Sequence, residues 1–200
     1  MRIRDNIDHT IIIQRSEFIT YLFRVFSEEE AREYIKVIRK KHSDATHVCT
    51  AFITDKGNVQ RSSDDGEPSG TAGVPMLEAL KKNDMEDILA CTVRYFGGIK
   101  LGAGGLVRAY SSSVSEALKT AVKTQILRMP TYTVIFPYDL IGRMDHLLKD
   151  TNISDKSYDE QVTYTYQSLD ESLKDKIKEL TSGRSEPVLV SIDECEVEAR

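Results

Sequence analysis

The glycines of this chain are concentrated in one region, and this limits what the region can form. Eight of the eleven glycines lie between residues 66 and 105, and only Gly142 and Gly183 follow. Glycine is unfavourable inside helices and strands, but it permits positive φ and a close approach of the backbone to a ligand. We therefore look for a functional site in the loops of this region, within two segments.

The first segment, residues 63–73, reads Ser-Asp-Asp-Gly-Glu-Pro-Ser-Gly-Thr-Ala-Gly and has no large side chain. Its clustered carboxylates suit a hard cation or acid–base chemistry. With a nearby histidine they give a candidate catalytic set of His47, Asp64, Asp65 and Glu67. The alternative is an acidic surface turn that caps the next helix.

In the second segment, residues 93–110, a predicted strand runs through a glycine loop into a helix. Free amides at a helix start, next to glycine-exposed backbone, suit an anion such as phosphate. The segment is neither a P-loop, because no Lys follows the last glycine of a GxxxxG, nor a GxGxxG motif. The alternative is that the glycines only allow close packing of the helix on the sheet.

Basic residues favour the anion-binding interpretation. Residues 93–128 contain six Lys or Arg and one acid, Glu116. Helical spacing places Arg108, Ser112, Ser115 and Lys119 on one face, which suits a sugar-phosphate backbone, although a solvated helix face is the alternative. The predicted nucleic-acid or anion-binding residues are Arg94, Tyr95, Phe96, Gly97, Gly98, Lys100, Gly102, Gly104, Gly105, Arg108, Ser112 and Lys119, with Tyr95 or Phe96 stacking on bases.

Cysteine usage predicts neither a disulfide framework nor a metal site. The three cysteines have no CxxC spacing, so a reducing, cytoplasmic environment is expected. His47 and Cys49 share one face of a predicted strand, which suits zinc or a nucleophilic pair. A hydrogen-bonded histidine beside a core cysteine is the alternative that we favour. We predict no metal and no cofactor.

The pattern of apolar residues predicts a mixed α and β architecture. In the first part of the chain, strands are predicted at 11–13, 18–23, 47–54, 59–62 and 88–95, with helices from Ser27, from about Pro75 and over 103–123. The predicted apolar stripe of the last helix is Ala103, Leu106, Val107, Tyr110, Val114, Ala117, Leu118 and Ala121. The second part follows a β-α-β-β-α-β order, with strands at 132–136, 153–158, 161–167 and 187–192 and helices after 136 and from Asp170.

Charge also divides the chain. Residues 130–200 carry eight basic and fifteen acidic residues, a net charge of −7, while residues 1–129 carry a net charge of +2. Because Pro130 disfavours a helix at the residue before it, we predict domains at 1–129 and 130–200. The chain lacks an apolar stretch of membrane-spanning length, and its first residues do not read as a signal peptide.

The two glycine-bearing segments together resemble the signature of the YigZ/IMPACT family. Shorter blocks at residues 15–19 and 45–49 resemble the same family, so the resemblance covers nearly the whole chain. It implies an α+β protein in which a ribosomal-protein-S5 domain-2-like domain is followed by a ferredoxin-like domain, similar to the last two domains of elongation factor G. It also implies a link to translation, since the eukaryotic relatives control translation by competing for an activator of a stress kinase.

Two functions remain open on the sequence. The first is a non-enzymatic binding protein that regulates translation through RNA, the ribosome or a ribosome-associated partner. The second is a hydrolase or phosphotransferase that uses the His47, Asp64, Asp65 and Glu67 set beside the glycine loop.

Overall fold

The computed structural model describes residues 1–199, which form two compact units. The first unit comprises Met1–Gln125 together with Glu198 and Ala199, and the second comprises Ile126–Val197. None of the helices in residues 1–199 combines the length and the apolar content that crossing a bilayer requires.

The first unit is built on an antiparallel sheet in the order β2-β3-β6-β4-β5. Its strands are β1 (Arg2–Ile3), β2 (Ile7–Ile13), β3 (Ser16–Arg24), β4 (His47–Thr54), β5 (Val59–Ser63) and β6 (Ile88–Tyr95), and its helices are α1 (Glu28–Lys41), α2 (Gly73–Lys82) and α3 (Ala103–Thr120). α1 begins as predicted, because the Ser27 hydroxyl accepts a hydrogen bond from the Glu30 amide at 3.1 Å.

The sheet separates two apolar layers because successive strand residues face opposite sides. On β4, Cys49, Ala51 and Ile53 pack towards α2 and α3, whereas Val48 and Phe52 pack in separate clusters on the side of α1. The β4–β6 register places His47 directly opposite Arg94. Both side chains therefore emerge at one end of the sheet, on the side of α3.

The second unit shows the predicted β-α-β-β-α-β order of elements. It contains β7 (Lys123–Phe136), α4 (Ile141–Leu147), β8 (Asn152–Tyr158), β9 (Val162–Gln167), α5 (Ser172–Leu180) and β10 (Val188–Glu198). β7 pairs with both β9 and β10, and β9 pairs with β8. Phe136 and Tyr164 pack edge to face in the core at a centroid distance of 4.9 Å. α5 ends at Leu180. Ser182 and the predicted Gly183 both take a positive φ after it, at 51° and 77°, and the Gly183 amide bonds the Lys178 carbonyl at 2.7 Å.

Three expectations differ from the structure around α3 and β7. α3 ends at Thr120 rather than at 123. Ala103 and Val107 are exposed, because the apolar stripe narrows where the first turns of α3 extend beyond the core. β7 runs through Pro130, near which the sequence predicts the domain boundary, and the chain divides into its two units between residues 125 and 126, within this strand. The fixed φ of proline is compatible with an extended strand, so Pro130 does not end it.

Candidate functional site

A cavity of about 290 Å³ lies where the ends of β4 and β6 meet the start of α3. Its polar lining includes His47, Glu67, Arg94 and Lys100. Its apolar lining includes Pro68, Phe96, Leu101 and Leu106. An apolar cavity with a few convergent polar groups is the usual form of a ligand-binding site.

A buried ion pair forms the floor of this cavity. Arg94 Nη1 lies 2.6 Å from Glu67 Oε1, and the two side chains are only 6% and 3% exposed. The Tyr110 hydroxyl, from α3, donates to the same carboxylate oxygen at 2.7 Å. The negative charge of Glu67 is therefore balanced inside the protein, which is how a buried carboxylate is tolerated.

The 63–73 segment positions Glu67 through a tight turn. Asp65 and Gly66 both have positive φ, at 45° and 87°, and the Glu67 amide donates to the Asp64 carbonyl. The Asp64 carboxylate accepts hydrogen bonds from the amides of Gly70, Ala72 and Gly73 at 2.8–3.0 Å, and so caps the start of α2. Burial opposes ionisation of Asp64, but these three amides outweigh it and hold its pKa below the ordinary value.

Asp65 likewise supports the loop instead of lining the cavity. Its carboxylate accepts from the Val48 amide at 2.7 Å and pairs with Arg39 at 2.6 Å. Its carbonyl oxygen lies 2.9 Å from His47 Nδ1. Of the four residues in the predicted catalytic set, His47 and Glu67 thus line the cavity, while Asp64 and Asp65 hold the turn that carries Glu67.

Cys49 lies beneath His47, on the same face of β4. It is fully buried, and its thiol donates to the Asp64 carbonyl at 3.0 Å and contacts the Tyr110 hydroxyl at 3.3 Å. Burial raises the pKa of this thiol to about 12, so the thiolate that a nucleophile or a zinc ligand needs is disfavoured. Within residues 1–199, no group of three His, Cys, Asp or Glu side chains is placed to hold a metal ion.

The glycine loop after β6 combines one tightly packed position with an open rim. A Cβ at Gly97 would lie 2.0 Å from the carbonyl group of Arg15, so only glycine fits against the β2–β3 turn. The amides of Phe96 and Gly97 donate to the hydroxyls of Thr46 and Ser16 at 3.1 and 3.2 Å, and this anchors the start of the loop. At Gly97, therefore, the glycine is needed for close packing, which is the alternative to a role in anion binding.

The rim is formed by the rest of the loop and the first turn of α3. Lys100, Gly102, Ala103 and Gly104 are exposed, and the first intrahelical bond runs from the Leu106 amide to the Gly102 carbonyl at 2.9 Å. The amides of residues 103–105 precede it and have no partner within the helix. They point outward at the positive end of an 18-residue helix.

The structure does not bring all the predicted anion-binding residues together. Arg94 is committed to Glu67, and Tyr95 points to the other face of the sheet, where its hydroxyl bonds His42 at 2.9 Å. Lys119 lies sixteen residues after Ala103, about 24 Å along α3, and pairs with Glu116 at 2.7 Å. Phe96, Lys100 and the residues of the α3 start do converge at the rim.

Several residues that shape the cavity are not recognisable as site residues from the sequence. Tyr110 belongs to the predicted apolar stripe of α3, although its hydroxyl reaches Glu67, and no motif marks Ser16 or Thr46 for chemistry. The sequence does contain a signal for Tyr110, because it is a tyrosine among Leu, Val and Ala at a buried helix position. A buried hydroxyl needs a polar partner, so this position predicts a polar group nearby.

We expect the substitution Arg94→Leu to lower the free energy of unfolding by about 3–5 kcal/mol, because it leaves the Glu67 carboxylate buried without its cation. The double variant Arg94→Leu/Glu67→Leu removes both charges and should recover much of that loss. Urea unfolding monitored by circular dichroism measures both. Equal stabilities for the single variant and the wild type would contradict the buried pair.

We also expect one of the three thiols to react with a disulfide reagent in the folded protein at pH 8. Cys195 is half-buried, whereas Cys49 and Cys91 are fully buried with pKa values raised to about 12. In denaturant all three should react, and mass spectrometry identifies the modified residue. Rapid labelling of Cys49 in the folded protein would show that a reactive thiolate exists there.

Comparisons with known proteins agree with the sequence resemblance. Residues 14–118 match the family model of the Impact N-terminal domain. The chain is 42% identical over 187 residues to the IMPACT family member YvyE of Bacillus subtilis, covering 90% of this chain and 85% of that protein. It is 39% identical over 139 residues to the family member YigZ of Escherichia coli, covering 68% of each chain.

A solved structure supports the same relationship. It is the crystal structure of a hypothetical protein with 31% sequence identity and a TM-score of 0.59, and the match covers 94% of this chain and 96% of that one. The family-model match extends over more than half of the chain and includes every residue of the cavity. The chain therefore belongs to the IMPACT family.

Proposed function

We propose that this protein is a non-enzymatic binding protein that acts in the regulation of translation, and that it binds RNA, free or within the ribosome, through the rim of the cavity. One observation carries the proposal. Three groups converge on one side of the cavity: the unpaired amides of the α3 start, the Lys100 side chain and the exposed ring of Phe96. The buried Glu67 carboxylate in this cavity is already neutralised by Arg94.

The rim carries a positive potential that suits phosphate. Lys100 and Arg108 form no ion pair with the described residues, and the Arg108 guanidinium lies over Gly104, 3.7 Å from the position that a Cβ would take. These charges add to the positive end of the α3 dipole. Phosphate contacts supply most of the affinity in protein–nucleic acid complexes.

Phe96 adds a surface for base stacking. Its side chain is 46% exposed at the cavity mouth, and its ring centroid lies 5.5 Å from the Arg94 guanidinium carbon. The guanidinium holds one side of the ring, and the exposed part is free for an unpaired base. Stacking of this kind contributes about 1–3 kcal/mol per base in single-strand complexes.

The link to translation rests on the family. The resemblance to the family implies that its eukaryotic members regulate translation, and we infer the same field of action for this chain in the cytoplasm. We further infer that the first unit has the S5 domain-2-like fold and the second the ferredoxin-like fold, which the β-α-β-β-α-β order supports. The acidic second unit would repel nonspecific nucleic acid or meet a basic ribosome-associated protein.

A hydrolase or phosphotransferase is the second candidate. It is favoured by the approach of His47 Nε2 to Glu67 Oε2, at 3.7 Å, inside the cavity. It is weakened because the Asp64 and Asp65 carboxylates accept hydrogen bonds from backbone amides. Of the four side chains in the predicted catalytic set, only His47 and Glu67 therefore line the cavity. The RNA-binding experiment below separates the candidates, because only the first requires the rim cations to bind RNA.

We expect the affinity for a 20-nucleotide single-stranded RNA to fall steeply with salt, because bound cations are released from the phosphates. The variants Lys100→Gln and Arg108→Gln should each bind more weakly and reduce the slope of log K against log salt by about 0.7. The matched control is Lys178→Gln, an exposed lysine on α5 of the second unit. Fluorescence anisotropy measures all four proteins. If the two rim variants bind like the control at every salt concentration, the rim does not bind RNA.

We expect Gly104→Ala to separate stability from binding. A Cβ at this position would meet only the flexible end of Arg108, and alanine is a better helix former by up to about 1 kcal/mol, so the variant should be as stable as the wild type or more so. The added methyl stands over the free amides and should weaken RNA binding. The matched control is Gly142→Ala, which adds the same methyl in the first turn of α4 in the second unit, where a Cβ would meet nothing within 4 Å, and it should leave binding unchanged. Wild-type affinity in Gly104→Ala would show that no ligand approaches this backbone.

A further inference from the structure

The floor of the cavity presents two hydrogen-bond acceptors that the chain leaves unused. Glu67 Oε1 accepts from both Arg94 and Tyr110. Glu67 Oε2 accepts no hydrogen bond from residues 1–199, and its nearest polar neighbour is His47 Nε2 at 3.7 Å. The Glu67 side chain is only 3% exposed, so water satisfies little of its acceptor capacity.

The hydrogen bond of His47 Nδ1 determines what the other ring nitrogen, Nε2, can do. Nδ1 lies 2.9 Å from the carbonyl oxygen of Asp65. A carbonyl oxygen only accepts, so Nδ1 carries the proton, and when the imidazole is neutral its Nε2 presents a lone pair. Glu67 Oε2 and His47 Nε2 are thus adjacent acceptors. A ligand with two adjacent donors would satisfy both.

Charge and shape narrow the ligand further. Arg94 already neutralises Glu67, so the floor needs neutral donors, whereas Lys100 and the free amides at the rim favour an anion. Phe96, Leu101 and Leu106 give the cavity apolar walls that suit a flat ring. The ligand that meets these conditions has a neutral aromatic ring with two neighbouring N–H donors at one end and a phosphate at the other.

Among the four RNA bases, guanine alone places two donors side by side on its Watson–Crick edge, the ring N1–H and the N2 amino group. Adenine, cytosine and uracil each place an acceptor next to a donor there, and that acceptor would face Glu67 or His47. We propose that the cavity binds one unstacked guanine, with N1–H and N2 directed to Glu67 Oε2 and His47 Nε2 and a neighbouring phosphate on the α3 start. The proposal rests on the proposed function in taking RNA as the source of the guanine.

Ligands that differ by single groups test this on the unmodified protein. The RNA probes are heptamers of uridine whose central base is guanine, hypoxanthine, adenine or uracil, and the small probes are the 5′-monophosphates GMP, IMP and AMP. Hypoxanthine keeps N1–H but lacks the N2 amino group. Anisotropy and calorimetry should show guanine ahead of each of the others by about tenfold or more, because a matched pair of hydrogen bonds discriminates by that amount.

Two protein variants locate the effect. Leu101→Trp fills the cavity and should lower guanine binding to the level of uracil. Leu189→Trp makes the same substitution on β10 of the second unit, at a side chain that is 49% exposed and outside the cavity lining, and should keep the preference for guanine. A guanine preference that survives in Leu101→Trp would place the guanine elsewhere.

The remaining outcomes separate this inference from the proposed function. Equal binding of all four heptamers, with GMP equal to IMP, overturns the guanine site while RNA binding stands. Preference for GMP without binding of any heptamer supports the guanine site and contradicts RNA binding. Absence of binding in both assays contradicts both.

Discussion

The buried pair of Arg94 and Glu67 is the interaction on which the architecture of the site depends. It joins the end of a central strand, β6, to the 63–73 loop, and Tyr110 ties α3 to the same carboxylate. Removing either charge leaves the other without a partner in a low-dielectric interior. The pair therefore fixes three elements around the cavity, and by neutralising Glu67 it allows an anion to approach the rim.

Around this pair, some loop residues support the fold and others remain accessible to a ligand. Asp64 and Asp65 accept hydrogen bonds that hold the turn and the start of α2. Gly97 packs against the β2–β3 turn. Lys100 and the α3 amides remain open. This division explains how a segment rich in acids can precede a site that favours anions, since two of its carboxylates face backbone amides and the third faces Arg94.

Local sequence patterns predicted most of the helices and strands, because strand alternation, the Ser27 cap and the apolar helix stripes each depend on residues that are close together in the sequence. Tertiary pairing decided the rest. Pro130 resembles a boundary locally, yet β7 continues through it because strand pairing tolerates its φ. In the site, Phe96 and Lys100 were recognisable from the glycine loop. The commitment of Arg94 to Glu67, across 27 residues of sequence, was not, because nothing in either motif indicates that strand register and a loop turn bring them together.

The central claim is that RNA contacts the first unit where α3 begins. The most direct measurement is a ¹H–¹⁵N NMR titration of the whole chain with a single-stranded RNA heptamer. We predict that the largest shift changes occur at the backbone amides of residues 96–105 and at His47, and that those of α5 remain unchanged. Changes confined to the second unit, or to the far end of α3 near Lys119, would contradict the claim.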